Sequence, residues 1–565
     1  MNTRATILSR GLALLLVLLL AACALAESKE MTDMTDTAIR VNQIGFLPGA
    51  IKTAVLPDAD AAADFRVVNV ETGEIACEGA LSEPIDNPGA GEINRVADFT
   101  ALDAPGRYRV QAGKLVSPEF TVGEGVYDEL FRQSVQMLYL QRCGVELDEA
   151  FAGDYAHPAC HTQIGVVYDT GEQIDVSGGW HDAGDYGRYV VSGAKTVADL
   201  FLAYEAFGVR SDDIGTPDSG DGLDDLLQEA KFELDWMLKM QRADGGVYHK
   251  VTGRSFPGMI MPEKEGGDMV VCPVSNAATG DFAAVMAWAS RLCAADWPED
   301  AANYLSAAER AWSYLDAHRG DPGFKNPDGV VTGEYGDEYD ADEYFWAAAE
   351  LAKATGRDDS RRAAAGFFAE GGKRRGLGWA DMGSYGVLAV LTDEGLGEDD
   401  ALKKDAREAL AATLRDAMQL IEVNPYGADR AMAYEWGSNM GVANTGCLLA
   451  LGAKLLGDDG LRARAQHSLD YLLGRNATGY CFVTGFGTLC PQHPHHRPSV
   501  ARHRAMPGML VGGPNDGLMD PAAVSLRGNP PAKCYIDNSN SYSTNEICVY
   551  WNSPLTLLLA GICGK

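Results

Sequence analysis

Tyr127-Asp128-Glu129-Leu130-Phe131-Arg132-Gln133-Ser134-Val135-Gln136-Met137-Leu138-Tyr139-Leu140 marks the point at which the chain changes period. Up to Val122 apolar residues alternate with polar ones, the repeat of a half-buried strand. From about Gly125 onward they return every three or four residues, the repeat of a helix that buries one face. The helical pattern continues in segments of roughly 12–20 residues and predicts about twelve helices. Their expected starts are near Tyr127, Tyr189, Leu223, Ala277, Ala302, Asp342, Ser360, Met382, Leu402, Asn439, Leu461 and Thr544. An even number of helices with long Gly/Pro-rich loops between some of them fits a closed ring of helical hairpins, with the loops forming a cleft on one face. Before the switch, Phe65-Arg66-Val67-Val68-Asn69-Val70 and Arg107-Tyr108-Arg109-Val110 alternate and are bounded by turns at Glu71-Thr72-Gly73 and Ala104-Pro105-Gly106. About eighty residues of this kind predict a small β-sandwich. The expected divisions are a leader over 1–26, a polar tether over 27–37, the sandwich over 38–123 and the helical ring over 124–565.

At 565 residues the chain exceeds the ~250–300 at which one hydrophobic core stops growing, so more than one structural unit is expected. Its 22% charged and 46% hydrophobic residues are the balance of a globular protein, excluding a disordered or multi-span chain. A formal charge of −33, with no lysine or arginine cluster to offset it, repels phosphate backbones and makes nucleic acid an unsuitable partner. A neutral polymer suffers no such repulsion, and clustered carboxylates suit hard cations. Arg4 and Arg10 precede an apolar run, Gly11 to Ala22, too short to span a membrane and of the length of a secretory signal. An extracellular protein is expected. Ala24-Leu25-Ala26 suits release in free form, whereas Leu20-Ala21-Ala22-Cys23 would allow a membrane tether through a lipidated Cys23. Twelve cysteines are too sparse for a disulfide scaffold and read mostly as buried apolar residues.

Three long loops, His157 to Arg188, Gly320 to Asp340 and Tyr480 to Asn540, hold almost all the candidate chemistry, as long loops in compact domains commonly do. The first contains Gly179-Trp180-His181-Asp182-Ala183-Gly184-Asp185, two carboxylates three apart among glycines and aromatics. Such a pair serves as a cation site, a turn cap, or a base that orients water. Near the C-terminus, Tyr542-Ser543-Thr544-Asn545-Glu546 leads into an apolar segment, and the spacing places Glu546 in the first turn of a helix. There it would complement the helix dipole or close a capping box on Ser543. With Tyr542 and Trp551 beside it, it would equally suit a carboxyl kept protonated in partly dry surroundings. Between these segments lies Pro494-His495-His496-Arg497, where the prolines and Arg497 disfavour a metal and suit hydrogen bonding to hydroxyls.

Together these three segments resemble the signatures of glycoside hydrolase family nine, the inverting cellulases, and the resemblance runs over nearly the whole chain. It implies an (α/α)6 barrel preceded by an immunoglobulin-like β-sandwich, and hydrolysis of β-1,4-glucan or cello-oligosaccharides with inversion. By that resemblance Asp185 is the base, Asp182 assists it and Glu546 is the acid. His495 and Arg497 contact the sugar beside the scissile bond, and Asp537 and Tyr542, the usual companions of the acid, are expected to contact substrate as well. Cys548 departs from the pattern, which commonly has a small hydroxyl residue or alanine there. An inverting pair needs carboxyl groups roughly 6.5–9.5 Å apart, leaving room for water, against about 5–5.5 Å for a retaining one. Exposed aromatics suit stacking on sugar, and Trp436 and Tyr426 are the candidates; Trp288 and Trp312 fall in apolar helical runs and read as core.

Cys143, Cys160, His161 and His181 form a tetrahedral zinc set by residue type, at intervals longer than those of a zinc finger. The sandwich-bearing branch of the family is similar at all four positions, which implies a structural Zn2+ that pins His181 beside Asp182. Asp337, Asp342 and Glu343, with Asp381 later, either complement a helix start or hold Ca2+, as the resemblance implies. Asp221 and Asp225 fall in a second acidic loop that partly imitates a calcium loop. No organic cofactor is expected. The leading expectation is an endo-β-1,4-glucanase. The alternatives are an exo-acting cellodextrinase, cellobiohydrolase or β-glucosidase of the same family, or an inactive carbohydrate-binding protein on the same ring. The sandwich carries no aromatic strip and is expected to stabilise the barrel.

Overall fold

The computed structural model describes residues 39–58, 62–371, 375–430 and 432–564. The leader, the tether and Cys23 lie outside the described residues.

Nine strands make the N-terminal unit. They are β1 (Gly45–Phe46), β2 (Thr53–Pro57), β3 (Asp64–Asn69), β4 (Ile75–Ala80), β5 (Ile85–Asn87), β6 (Glu92–Asp98), β7 (Gly106–Ala112), β8 (Leu115–Val116) and β9 (Phe120–Val122). One sheet runs β1-β9-β7-β3-β4 with β8 on β7, and the other runs β2-β6-β5. Inward residues such as Phe46, Phe65, Phe99 and Phe120 close a core of their own, while most outward ones are polar, Ile75, Ile93 and Val116 excepted, the alternation of a two-sheet sandwich.

Twelve longer helices follow. They are α1 (Asp128–Tyr139), α2 (Val190–Glu205), α3 (Asp225–Lys239), α4 (Asn276–Leu292), α5 (Pro298–Ala317), α6 (Ala341–Thr355), α7 (Asp358–Glu370), α8 (Gly383–Leu391), α9 (Ala401–Val423), α10 (Ser438–Leu456), α11 (Asp459–Leu472) and α12 (Val549–Cys563). The even-numbered helices are buried on nearly every face, and the odd-numbered ones bury a single stripe. Inner helices pack in sequence, α2 on α4, α4 on α6, α6 on α8, α10 on α12 and α12 back on α2, and each carries an outer partner. This is the expected (α/α)6 ring with its N-terminal sandwich. Small residues permit the close inner packing: a Cβ on Gly386 of α8 would lie 2.5 Å from the Phe345 ring of α6. Trp288 is buried in α4 and Trp312 packs against the core from α5, both as expected.

A feature absent from the sequence expectation is a five-stranded sheet on the loop face. It consists of β10 (Gly165–Val167), β11 (Gln173–Ile174), β12 (Arg188–Tyr189), β13 (Lys250–Thr252) and β14 (Met269–Val271), in the order β11-β10-β14-β13-β12. It holds both ends of the loop that carries Asp182 and Asp185.

The sandwich is joined to the ring through buried and part-buried polar contacts. The Asn42 amide donates to Asp470 at 2.9 Å and to the Tyr127 hydroxyl at 3.1 Å. Gln43 Oε1 accepts from the Thr488 backbone N–H, the Thr488 hydroxyl and the Leu489 N–H at 2.9–3.0 Å, while its amide donates to the Gly479 carbonyl at 2.6 Å. Gln43→Ala removes these four part-buried hydrogen bonds at once, and a typical intramolecular hydrogen bond contributes about 0.5–1.5 kcal/mol. The expected result is a lower urea midpoint with an unchanged denaturant slope; an unmoved midpoint would show that water replaces the amide.

Candidate active site

The first acidic loop is placed before it is functional. Trp180 pairs with Arg142, its backbone N–H donates to Glu233 at 2.7 Å, and its indole N–H donates to Glu229 at 2.7 Å. Gly179 has φ 75°, and a Cβ there would lie 2.6 Å from the Trp236 indole, so glycine alone fits. The turn closes by an Asp182 N–H bond to the Gly187 carbonyl at 2.9 Å. Both Asp182 oxygens are engaged: Ser192 at the start of α2 donates to one at 2.5 Å and Tyr335 donates to the other at 2.6 Å. Burial, then the neighbouring charge of Asp185, pushes the Asp182 carboxyl up to about 7. Asp185 accepts from the Gly187 N–H at 3.1 Å and faces the Tyr189 hydroxyl at 3.5 Å. Burial raises its carboxyl too, against the lowering effect of the Arg497 guanidinium.

Glu546 departs from the sequence expectation. It does not sit in the first turn of a helix: a short turn over Tyr542–Asn545 ends there, Glu546 is extended at φ −73° and ψ 155°, and α12 begins only at Val549. The reason is long-range backbone pairing. Glu546 bridges to His495, Ile547 to Val511 and Cys548 to Ala183, and the Val549 N–H donates to the Asp182 carbonyl at 2.7 Å. The acid segment is thus sewn between the histidine-arginine loop and the aspartate loop. Burial, then the charges of Asp185 and Asp182, hold the Glu546 carboxyl well above the usual carboxylate range, with Arg497 opposing. All three acids line one cavity of about 290 Å³ whose walls include Phe256, Tyr335, Trp379, Trp436 and Trp551. Among the described residues no hydrogen bond joins Glu546 to either aspartate, so the acids face a common space without sharing a proton.

Residues 127–559 match the model of glycosyl hydrolase family 9, and residues 34–117 match that of the cellulase N-terminal ig-like domain. The chain belongs to glycosyl hydrolase family 9. It is a glycoside hydrolase. A relative described as a cellodextrinase, from Butyrivibrio fibrisolvens, is 36% identical over 93% of this chain and 99% of its own length. A xyloglucan-specific endo-beta-1,4-glucanase from Bacteroides ovatus is 32% identical over 96% of this chain and 97% of its own. Among solved structures, a thermostable endoglucanase from Alicyclobacillus acidocaldarius superposes with a TM-score of 0.86 at 36% identity, over 93% of this chain and 99% of that one. A Zn-binding triple mutant of a family 9 endoglucanase reaches 0.87 at 35% identity, over 92% and 99%.

In this family 9 site Arg497 lies behind the aspartate loop. Its guanidinium donates to the Gly184 carbonyl at 2.6 Å and to the Pro257 carbonyl at 3.1 Å, and it lies 5.5 Å from the Phe256 ring centre. His495 Nδ1 is 2.6 Å from the Ser539 carbonyl oxygen, which leaves Nε2 for another partner. Tyr542 donates to the Met519 carbonyl at 2.7 Å, and its ring packs on Trp436, which is 43% exposed at the cavity wall. Asp537 accepts the Gln492 and His493 N–H groups at 2.7 and 2.8 Å and the Asn545 amide at 3.0 Å. Through those bonds Asp537 braces the loops on either side of the acid. Tyr426 requires correction: it is 3% exposed, with its hydroxyl on Glu92 of the sandwich at 2.9 Å, and takes no part in the cleft.

Cys143, Cys160, His161 and His181 are all buried and offer ligand atoms within 4.8 Å of one another. His161 Nε2 lies 3.0 Å from Glu265, leaving Nδ1 toward the sulfurs. Among the described residues this is the one group of three or more such side chains that converges so closely. Asp342 and Glu343 open α6 and are buried; one Asp342 oxygen and both Glu343 oxygens lack a hydrogen-bond partner. Asp337 accepts the Tyr339 N–H at 2.9 Å, and Asp381 turns tightly against Gly376. Asp221 holds the Leu223 N–H and the Gln228 amide; one Asp225 oxygen holds the Ile214 N–H and the Ser219 hydroxyl, and the other is buried without a hydrogen-bond partner.

Sequence reasoning missed Tyr335, Ser192, Trp379 and Phe256, and also Asp281, whose two buried oxygens are unpartnered beside Asp342 and Glu343. Tyr335 was recoverable as an aromatic within the long Gly320 to Asp340 loop. Asp281 gives no such signal, being a lone acid in an alanine-rich helix.

Proposed function

We propose that this family 9 hydrolase is an extracellular endo-β-1,4-glucanase that inverts configuration, with Glu546 as acid, Asp185 as base and Asp182 assisting. One observation carries the reading: three acids with raised proton affinities line one aromatic-walled cavity while Arg497 pulls Asp185 back toward ionisation. Glu546, protonated, donates to the glycosidic oxygen. Asp185 takes a proton from water as that water attacks the opposite face of the sugar. Asp182, held by Ser192 and Tyr335, orients the same water. Trp436 and Phe256 offer exposed rings to the sugar faces on the cavity wall. The extracellular location rests on Arg4, Arg10 and the apolar run after them.

The experiment is the product profile from cellohexaose, with the anomer of the first product read by NMR. Internal cleavage giving α-configured new ends is expected; release from the chain end alone would transfer the enzyme to the cellodextrinase reading, which the Butyrivibrio fibrisolvens relative favours.

Two metals belong to the proposal. The Cys143, Cys160, His161 and His181 donor set fits Zn2+, which would lock His181 and so the turn carrying Asp182. A related family 9 endoglucanase has been solved as a Zn-binding triple mutant, which is in keeping with that ion. Elemental analysis should find roughly one zinc per chain, and Cys160→Ser should lose it and lower activity on the order of ten- to hundredfold. A zinc-free wild type of full activity would refute the site. The unpartnered oxygens of Asp342 and Glu343 fit a hard cation such as Ca2+, with Asp337 nearby in the chain and Asp381 brought close by the Met382 N–H bond to Asp342.

A further inference from the structure

Lys250, on β13, is fully buried, yet among the described residues no carboxylate pairs with it. Its ammonium donates to the Asn326 side chain at 2.6 Å, the Thr332 hydroxyl at 3.2 Å and the Gly333 carbonyl at 2.5 Å. All three acceptors belong to one loop, the loop that runs on to Tyr335 and its bond to Asp182. The preceding residue, His249, anchors the same loop a second time: its ring stacks on Phe324 at 3.8 Å and its Nε2 lies 3.1 Å from the Glu334 carbonyl oxygen.

An ammonium with only neutral acceptors is expensive to bury unless negative charge lies close by. Here that charge is catalytic. Lys250 Nζ lies 5.3 Å from the centre of the Tyr189 ring, whose hydroxyl faces Asp185 at 3.5 Å. Asp185, Glu334 and Asp182 are within Coulombic reach of it, as is the Cys272 thiol. From its other sides Asp185 is faced by Arg497, which lowers its proton affinity, and by Glu265, which raises it; Glu546 lies across the cavity.

We propose that Lys250 is a positioning residue for hydrolysis: its buried ammonium orders the loop that brings Tyr335 to Asp182, and its unpaired charge, behind Tyr189, favours the ionised form of Asp185. This rests on Asp185 being the base. Arginine is a poor substitute for the loop bonds, because a planar fork does not match three acceptors spread around a compact ammonium, but it keeps the charge.

The test compares kcat, KM and the pH profile of kcat/KM for the whole enzyme and its variants. K250M should lower kcat about tenfold or more with a smaller change in KM, and should move the acid limb to higher pH by roughly half a unit or more. K250R should return the acid limb toward its wild-type position. N326A/T332V, which removes two acceptors and leaves the charge, should lower kcat without moving the limb; it also tests the positioning role if K250M does not fold. A K250M limb that stays in place while D185A is inactive would overturn the role of Lys250 alone. Full activity in D185A would instead overturn the assignment of the base.

Discussion

Glu546→Gln is expected to retain glucan binding and to hydrolyse cellohexaose about 10²–10⁴-fold more slowly, the range that a positioned general acid contributes. The substitution keeps the shape of the side chain in a site where the backbone of Glu546 is paired on both sides, so the fold should persist. What it removes is the proton. In the native protein burial and the charges of Asp185 and Asp182 hold that proton on Glu546 well above the usual carboxylate range. Activity should therefore survive to a higher pH than an ordinary carboxylic acid allows, and fall as pH rises through the raised value. An aryl cellobioside whose leaving group needs no protonation separates this role from a structural one. The variant should hydrolyse it nearly as fast as wild type, without the alkaline limb. Equal losses on both substrates would mean that Glu546 shapes the site and does not protonate the leaving oxygen.

Asp185→Ala should lose activity on the same scale and should recover part of it with azide. Azide is small enough for the space the carboxylate vacates, and as an anionic nucleophile it has no proton to give up. Its terminal nitrogen bonds to the anomeric carbon, the glycosidic C–O bond breaks, and Glu546 supplies the proton to the departing oxygen. Attack from the face opposite the β-linkage yields an α-glycosyl azide. A β-azide, or unaided activity in the variant, would refute the base assignment. In wild type the same residue sets the acid limb. Asp185 acts only when ionised, its carboxyl is raised by burial, and activity should be lost as pH falls through that raised value. The working window is thus displaced upward at both edges, because one dry cavity raises both groups.

The ring was legible because its outer helices carry one apolar stripe each, and the starts read from periodicity lie within a few residues of those observed for α1, α3 and α11. The inner helices, read from the same spacing, give a weaker signal, since a segment buried on all faces has little periodicity to read. Local pattern failed where a distant segment decides. Thr544 to Val549 reads as an uninterrupted helix start, but strand-like pairing with His495, Val511 and Ala183 pulls Glu546 out of it. Tyr426 follows Asn424 and Pro425 and looks like an exposed loop aromatic, yet the sandwich covers it. The acids and the four zinc-type ligands stand out by residue type and setting, but spacing alone leaves other readings open, and the resemblance to family nine supplies their roles. Lys250 does not stand out, because a single lysine in a short strand shows nothing of its burial.

The last inner helix, α12, packs against both α1 and α2, the first two of the ring, as well as against α10. The residues just before it supply Glu546 and the strand that holds Asp182 in place. Refolding should therefore regain helical signal well before it regains turnover, since closure joins chain ends separated by most of the sequence and such contacts form slowly. A protein cut a few residues short of Glu546 would lose the proton donor and the ring's seam in one stroke, leaving no half-working intermediate for a protease to release.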